Sequence, residues 1–266
     1  MKQIRAWSSG GGVQSIAGLV LSAHGKVDFP LHLFCNTGDD SENPDTLDYV
    51  RNIAMPYAEK HGIEFVELHH KFKSKKLIAQ VGESETLLQR MYRTQKSIPI
   101  PIRRSGGAPC SRVCTIDFKV RVVQDYLKSN GATRDNPALC AIGFSLDEWS
   151  RLRSNSDCEW ELLAFPLFDL KLTRADCAEI IISAGLPIPP KSACWFCPNT
   201  SHLEWIKMSV EQPEMFERAC ELELFLGSKY GEPLYLSKFL VPLADSVSQT
   251  YFDVDEIGEC SGMCFT

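Results

Sequence analysis

The chain lacks any apolar run long enough to span a bilayer, so no membrane partner is expected. Its N-terminal MKQIRAWSS has no apolar signal core, which makes the cytoplasm the expected location. Positive charge is not in excess. Against 28 Lys and Arg stand 34 Asp and Glu, a formal net charge of -6, so the surface as a whole is no nucleic-acid magnet and any such contact must be local. No repeat period or low-complexity tract is visible. The one glycine cluster near the start is not followed by Gly-Lys-Ser/Thr, which excludes a Walker phosphate loop, and its spacing does not fit the dinucleotide fingerprint.

Cysteine is what the chain has in quantity: eleven, an odd number. In a reducing cytosol a disulfide framework is not expected, so these thiols are core residues, metal ligands or redox groups. The 266 residues, 44% hydrophobic, suffice for one large domain with a smaller appendage.

Apolar runs at residues 3–7, 30–35, 64–68, 139–143 and 162–165 read as strands. Helical spacing covers about residues 13–24, 44–61, 120–130 and 174–184. Strands alternating with helices predict an α/β fold, an open and mainly parallel sheet with helices on both faces. A small helical, cysteine-rich unit follows. The expected division is residues 1–185 for the α/β domain and 186–266 for the C-terminal segment with its cysteine tail. Residues 71–109, with KFKSKK and KSIPIPIRRSGGAP, read as a basic excursion over the active face. They are either a nucleic-acid contact or a solvated loop.

In such sheets ligands sit beyond the carboxyl ends of the strands. Two segments fall there: the turn Ser8-Ser9-Gly10-Gly11-Gly12-Val13-Gln14-Ser15, and Asn36-Thr37-Gly38 with the two aspartates after it. Glycines let backbone amides approach a phosphate closely, and the serines add hydroxyl donors. The turn therefore reads as a phosphate cradle, or as a tight strand-to-helix turn that binds nothing. Arg151 and Arg153 can grip phosphate or sulfate oxygens in bidentate fashion.

Cys194-Trp195-Phe196-Cys197 can present two thiolates to one metal from a single turn, and Cys110 and Cys114 can close the set. Four cysteines suit either zinc or an iron–sulfur cluster. Cys35, Cys140, Cys158, Cys177 and Cys220 read as small buried hydrophobes, and Trp195, Phe196 and Trp205 as packing.

SSGGGVQS after a first strand resembles the PP-loop of the adenine nucleotide alpha hydrolase superfamily. It is closer still to the phosphoadenosine phosphosulfate (PAPS) reductase family, in its phage-type and DNA-phosphorothioation-like branch. Phe34 to Gly38 is similar to the segment where that family seats adenosine. Ile142-Gly143-Phe144-Ser145-Leu146-Asp147-Glu148 with Arg151 is similar to its later nucleotide loop. The usual aspartate before the last serine of the loop is Gln14 here. The resemblance implies an adenine nucleotide, ATP or PAPS/adenylylsulfate, with Mg2+ as its companion. It implies a [4Fe-4S] cluster on Cys110, Cys114, Cys194 and Cys197, with zinc as the alternative. Lys119 and Arg151 would act on substrate charge. The tail motif around Cys260, with Cys264 beyond it, resembles the family's C-terminal nucleophile. The implied activity is sulfur transfer or sulfonucleotide reduction. A sulfur-donor protein or thioredoxin-like reductant would be its partner, and the chain would form a homodimer. Two other readings stand beside it. One is a non-catalytic nucleotide- and metal-binding sensor of a nucleic-acid modification system. The other is a zinc-stabilised α/β protein whose cysteines only hold the fold.

Overall fold

The structure, a computed structural model, describes residues 2–152 and 156–248. The chain starts in the middle of a sheet. Strand β1 (Arg5–Ser9) runs through the glycine turn into helix α1 (Val13–Ala23), then β2 (Leu31–Asn36). Helix α2 (Pro44–Tyr49) passes through a π-helical turn (Val50–Ala54) into α3 (Met55–Lys60) and strand β3 (Glu64–His69). Helices α4 (Lys75–Val81) and α5 (Leu87–Arg93) and a short strand β4 (Arg103–Arg104) follow. Helix α6 (Val113–Thr115) and a second π-helical turn (Ile116–Val120) lead into α7 (Arg121–Ser129) and β5 (Ala138–Ile142). A 3-10 turn (Leu146–Arg151), β6 (Glu161–Ala164), α8 (Pro166–Asp169) and α9 (Arg174–Ser183) complete the first half. Helices α10 (His202–Glu211) and α11 (Pro213–Tyr230) and strand β7 (Leu234–Tyr235) make up the second.

The main sheet has the order β3-β2-β1-β5-β6, and every pairing in it is parallel. The α/β fold with an open parallel sheet expected from the sequence is therefore the observed one. Alternate residues of each strand feed opposite cores. Trp7 and Ala141 pack with α1, α8 and α9 through Ile16, Leu19, Leu167 and Ile181. Ala6, Leu33, Cys35 and Cys140 pack with α7 through Val123 and Leu127 on the other side. Burial on both faces is why these strands read as continuous apolar runs. Strand order turns around between β1 and β5, and a crevice opens at that switch point. No helix among the described residues is long and apolar enough to cross a membrane.

A separate core lies beside the sheet. Trp195, Phe196, Trp205, Leu222 and Leu226 of the C-terminal half pack there with Leu87, Met91, Ile98, Ile100, Ile102 and Phe118. Residues 71–109 are thus no solvated excursion throughout. The isoleucines of IPIPI alternate with prolines and are 0 to 4% exposed. The basic residues of this stretch are largely paired within the molecule. Lys73 meets Asp125, Arg90 and Arg93 meet Glu85, and Arg104 meets Glu232. Arg103 donates to the Pro198 carbonyl at 2.8 Å.

Glu223 on α11 is buried, and its two oxygens accept from the backbone amides of Leu236 (2.6 Å) and Leu243 (2.7 Å). Burial pushes this carboxyl up to about 7, against the pull of the two amides. The folded state therefore holds the proton more tightly than the unfolded chain, where it leaves near 4.5. The stabilisation is complete below that pH and is lost as pH climbs through about 7. Urea midpoints across this window are expected to fall in the wild type and to flatten in Glu223→Gln. The same slope in the variant would locate its source elsewhere.

Candidate functional site: the cleft at the switch point

The chain leaves β1 at Ser9 and turns at Gly10–Gly12 before α1 begins. Gly11 has φ +77°, and a Cβ there would stand 3.1 to 3.3 Å from Val50, Thr46 and Phe34. Glycine is therefore required both by its backbone angle and by the closeness of α2 and the turn after it. The Gly10 amide donates to Ser15 Oγ at 2.9 Å, which closes the turn on itself. Gly12 is the N-cap of α1, with no side chain to cap it and no acidic residue in the first turn. The first amides of a helix have no partner within it, and they carry partial positive charge. Here they open toward a cleft.

Ser8, Ser9, Gly10, Gly12, Gln14 and Ser15 line this cleft from the β1 side, and Ile142, Gly143, Phe144 and Glu148 from the β5 side. Lys119, on the second π-helical turn, and Cys35, near the end of β2, complete the lining. Ser9 Oγ is buried without a hydrogen-bond partner among the described residues, a donor available to a bound ligand. Gln14 is fixed from both ends. Its amide nitrogen donates to Glu148 Oε2 at 3.2 Å, and its oxygen accepts from Arg174 Nη1 at 3.1 Å. Glu148 also pairs with Arg151, whose guanidinium lies 4.4 Å from the centroid of the Phe144 ring. Asp147 accepts from the Arg174 amide at the start of α9, at 2.6 Å.

Nine residues singled out in the sequence thus meet in one cleft: Ser8, Ser9, Gly10, Gly12, Gln14, Ser15, Lys119, Gly143 and Glu148. Gly11, Asp147 and Arg151 support its walls from behind. Asn36, Thr37 and Gly38 do not line it. Asn36 Nδ2 donates to Asp39 (2.6 Å) and Glu67 (2.7 Å), while its Oδ1 accepts from the Gly38 amide. Both carboxylates are clamped by Arg51, which sits on the first π-helical turn. Arg51 holds Asp39 below the usual carboxylate range. Burial pushes Glu67 up, but Arg51 and Asn36 outweigh it and leave the group lowered. Thr37 Oγ1 donates to Glu42 at 2.9 Å. These three residues, expected beside an adenosine, are the frame of the loop after β2.

Cys35 is buried in the core as expected and also borders the cleft, with its thiol 3.5 Å from the Lys119 carbonyl. Burial pushes that thiol up to about 12, and the Lys119 charge offsets part of the rise. Its place at the carboxyl end of a parallel strand was the signal that pointed here. Cys140 and Cys177 are buried as expected, and Cys158 and Cys220 are half-buried.

The four candidate metal ligands border the second core but do not meet at a point. Cys110, Cys114 and Cys194 pack against it, and Cys197 closes a turn back onto the Cys194 carbonyl at 3.0 Å. Cys194 lies 3.4 Å from Thr37 Oγ1. Its thiol is pushed well above the usual range, by burial first and then by Glu42, and Cys114 adds to the rise. Burial lowers the Arg103 guanidinium and Cys197 opposes it, while a hydrogen bond with Cys110 raises Arg104. Among the described residues no three Cys, His, Asp or Glu side chains converge on one ion. A zinc tetrahedron needs its sulfurs roughly 3.8 Å apart, so the side chains as arranged do not form a zinc site. A cluster spaces its cysteines more widely. Cys260, Cys264 and Arg153 lie outside the described residues.

No protein-family model matches the chain, and no curated protein matches it. Among solved structures it is similar to phosphoadenylyl-sulfate (PAPS) reductase from Candida auris, a phosphate complex. The identity is 15% and the TM-score 0.41, over 70% of this chain and 75% of that one. It is also similar to U34-tRNA thiolase NcsA from Methanococcus maripaludis with its [4Fe-4S] cluster. There the identity is 15% and the TM-score 0.40, over 85% of this chain and 72% of that one. At such TM-scores neither likeness assigns this chain a ligand or a reaction.

Gly11→Ala is expected to lower stability by about 1–3 kcal/mol, from the left-handed backbone and the contacts a Cβ would make. Gly12→Ala, whose Cβ would meet only Ser192 at 3.6 Å, is expected to cost less. Equal losses in denaturant melts would remove the geometric account of the turn.

Proposed function

We propose that the chain is an enzyme that binds the phosphates of an adenine nucleotide at residues 9–15 and carries out sulfur transfer or sulfonucleotide reduction in the cleft. The observation that carries this reading is the uncapped start of α1, aimed into a crevice at the switch point of a parallel sheet and faced by Lys119. Backbone amides, hydroxyls and one ammonium suit a polyanion, and they suit the charge that develops on phosphate or sulfate oxygens during transfer. Arg151, behind the wall, holds Glu148 and Phe144 in place. Mg2+ would accompany a triphosphate.

With ATP the acceptor is adenylated and pyrophosphate leaves; a sulfur nucleophile then displaces AMP. With PAPS or adenylylsulfate a thiolate attacks sulfur and releases the nucleotide. A second thiol, from a thioredoxin-like partner, then frees sulfite and leaves a disulfide. Cys260 and Cys264 are the candidate carriers of sulfur by resemblance. Cys110, Cys114, Cys194 and Cys197 would hold an iron–sulfur cluster, whose contribution is a redox or sulfur-binding centre next to the cleft. A sulfur-donor protein, a nucleic-acid acceptor and a homodimer belong to this proposal.

One observation favours a second reading. Gln14 replaces an acidic residue and is held by Arg174 and Glu148, as in a protein that keeps the nucleotide without turning it over. Such a chain would be an accessory or sensor of a nucleic-acid modification system.

The test is anaerobic purification, metal and sulfide analysis, then incubation with ATP or PAPS. Iron and acid-labile sulfide of about four each per chain are expected, together with pyrophosphate and AMP from ATP or sulfite from PAPS. A colourless protein with about one zinc per chain and no product from either nucleotide would overturn the enzymatic reading.

A further inference from the structure

Lys119 stands on a π-helical turn, Ile116–Val120, between α6 and α7. Such turns hold one residue more than an α-helical turn, and they are frequent at functional sites. A lysine side chain is long and loses much rotamer freedom when it is held in one place. Something must therefore fix the turn.

Arg90 meets the two residues immediately before Lys119. Its Nη1 donates to Asp117 Oδ2 at 3.1 Å, and its guanidinium lies over the Phe118 ring, 5.0 Å from the centroid. Its Nε donates to Glu85 Oε1, and Nη2 reaches His70 Nε2 at 2.7 Å. The His70 ring in turn stands edge-on to Phe118, centroids 4.8 Å apart. The Arg90 side chain is 12% exposed and that of Glu85 3% exposed, so this is an interior clamp and not a surface ion pair.

The clamp is itself anchored. Glu85 also accepts from Arg93 through Nε and Nη2, both at 2.8 Å. Helix α5, which carries Arg90, is tied to the loop after β2. Thr86 Oγ1 donates to Asp40 at 2.9 Å, and the Leu87 amide to the Thr37 carbonyl at 2.8 Å. A continuous line of packed and hydrogen-bonded groups runs from the end of β2 through α5 and Arg90 to the turn that bears Lys119.

We propose that Arg90 is the positioning residue for Lys119, and that the stretch around it, which the sequence suggested as a nucleic-acid contact, serves to hold the cleft's cation against the anionic group of the substrate. This rests on the reading of the cleft as a polyanion site. Only a planar fork can reach Glu85, Asp117 and His70 at once while lying on Phe118; lysine keeps the charge and loses that geometry.

Calorimetric titration with inorganic pyrophosphate tests it, using wild type, Arg90→Lys, Asp117→Asn, Lys119→Met and the double variants with Lys119→Met. Removing Lys119 is expected to weaken binding about 10- to 100-fold. Arg90→Lys is expected to lose most of the same factor, and the double variant to bind no more weakly than Lys119→Met alone. Asp117→Asn leaves the Arg90–Glu85 pair in place and is expected to show the same non-additivity, so the test stands even if Arg90→Lys folds poorly. Factors that multiply in the doubles, or an Arg90→Lys affinity within twofold of wild type, would overturn the positioning role. Reductive methylation with a 13C label supplies a readout without ligand. The Lys119 resonance, identified by its absence in Lys119→Met, is expected to move in Arg90→Lys and Asp117→Asn. An unmoved resonance contradicts the proposal. A moved resonance in a protein that does not bind pyrophosphate would support the positioning role and refute the polyanion reading.

Discussion

The two halves of the molecule are joined by a short antiparallel splice, and the candidate site depends on it. Residues 41–43, just after β2, lie against residues 193–195. Glu42 bridges to Cys194, the Asn43 amide donates to the Ala193 carbonyl at 3.1 Å, and the Trp195 amide to the Ser41 carbonyl at 3.2 Å. Trp195 Nε1 adds a bond to the Asp40 carbonyl at 2.7 Å, and Ser192 Oγ donates to the Gly10 carbonyl within the glycine turn. Through these bonds the cysteine turn of the second core is fixed to both the cradle and the frame of the β2 loop.

Electrostatics then sorts the polar residues into framework and site. Arg90, in the interior, and Arg51, partly exposed, each meet two carboxylates. Arg51 shapes the loop after β2, and Arg90 shapes the turn under Lys119. Their charges are used within the protein. The cleft itself is lined by the uncapped helix start, Lys119, Ser9, whose buried hydroxyl has no partner among the described residues, and Glu148, which Arg151 holds from behind. The helix start and the Lys119 ammonium bring positive charge to the cleft although the chain carries a net charge of -6, and Glu148 on the β5 side brings a negative one.

The sheet was legible because both of its faces are buried and its strands read as unbroken apolar runs ending in glycine or polar residues. The glycine turn was legible because three glycines after a strand have few other uses. Other features were not. The IPIPI stretch looked like a proline-rich loop, although its isoleucines recur at every second position, as an extended buried segment requires. The two π-helical turns leave no mark in composition, since each is a one-residue shift within an ordinary helical pattern. Asn36 to Gly38 sit at the right end of the right strand. Only the carboxylates and arginine around them show that their polar groups are used internally. Cys35 was read as a core residue and is one, but hydrophobic context alone does not show that it also reaches the cleft end of its strand.

The central claim is that the amides at the start of α1 receive nucleotide phosphate. Hydrogen–deuterium exchange with and without saturating ATP or PAPS tests it most directly. The account predicts slowed exchange at residues 10–15, with a weaker effect at residues 143–151. Bound nucleotide with unchanged exchange at residues 10–15, or with protection confined to residues 192–200, would contradict it.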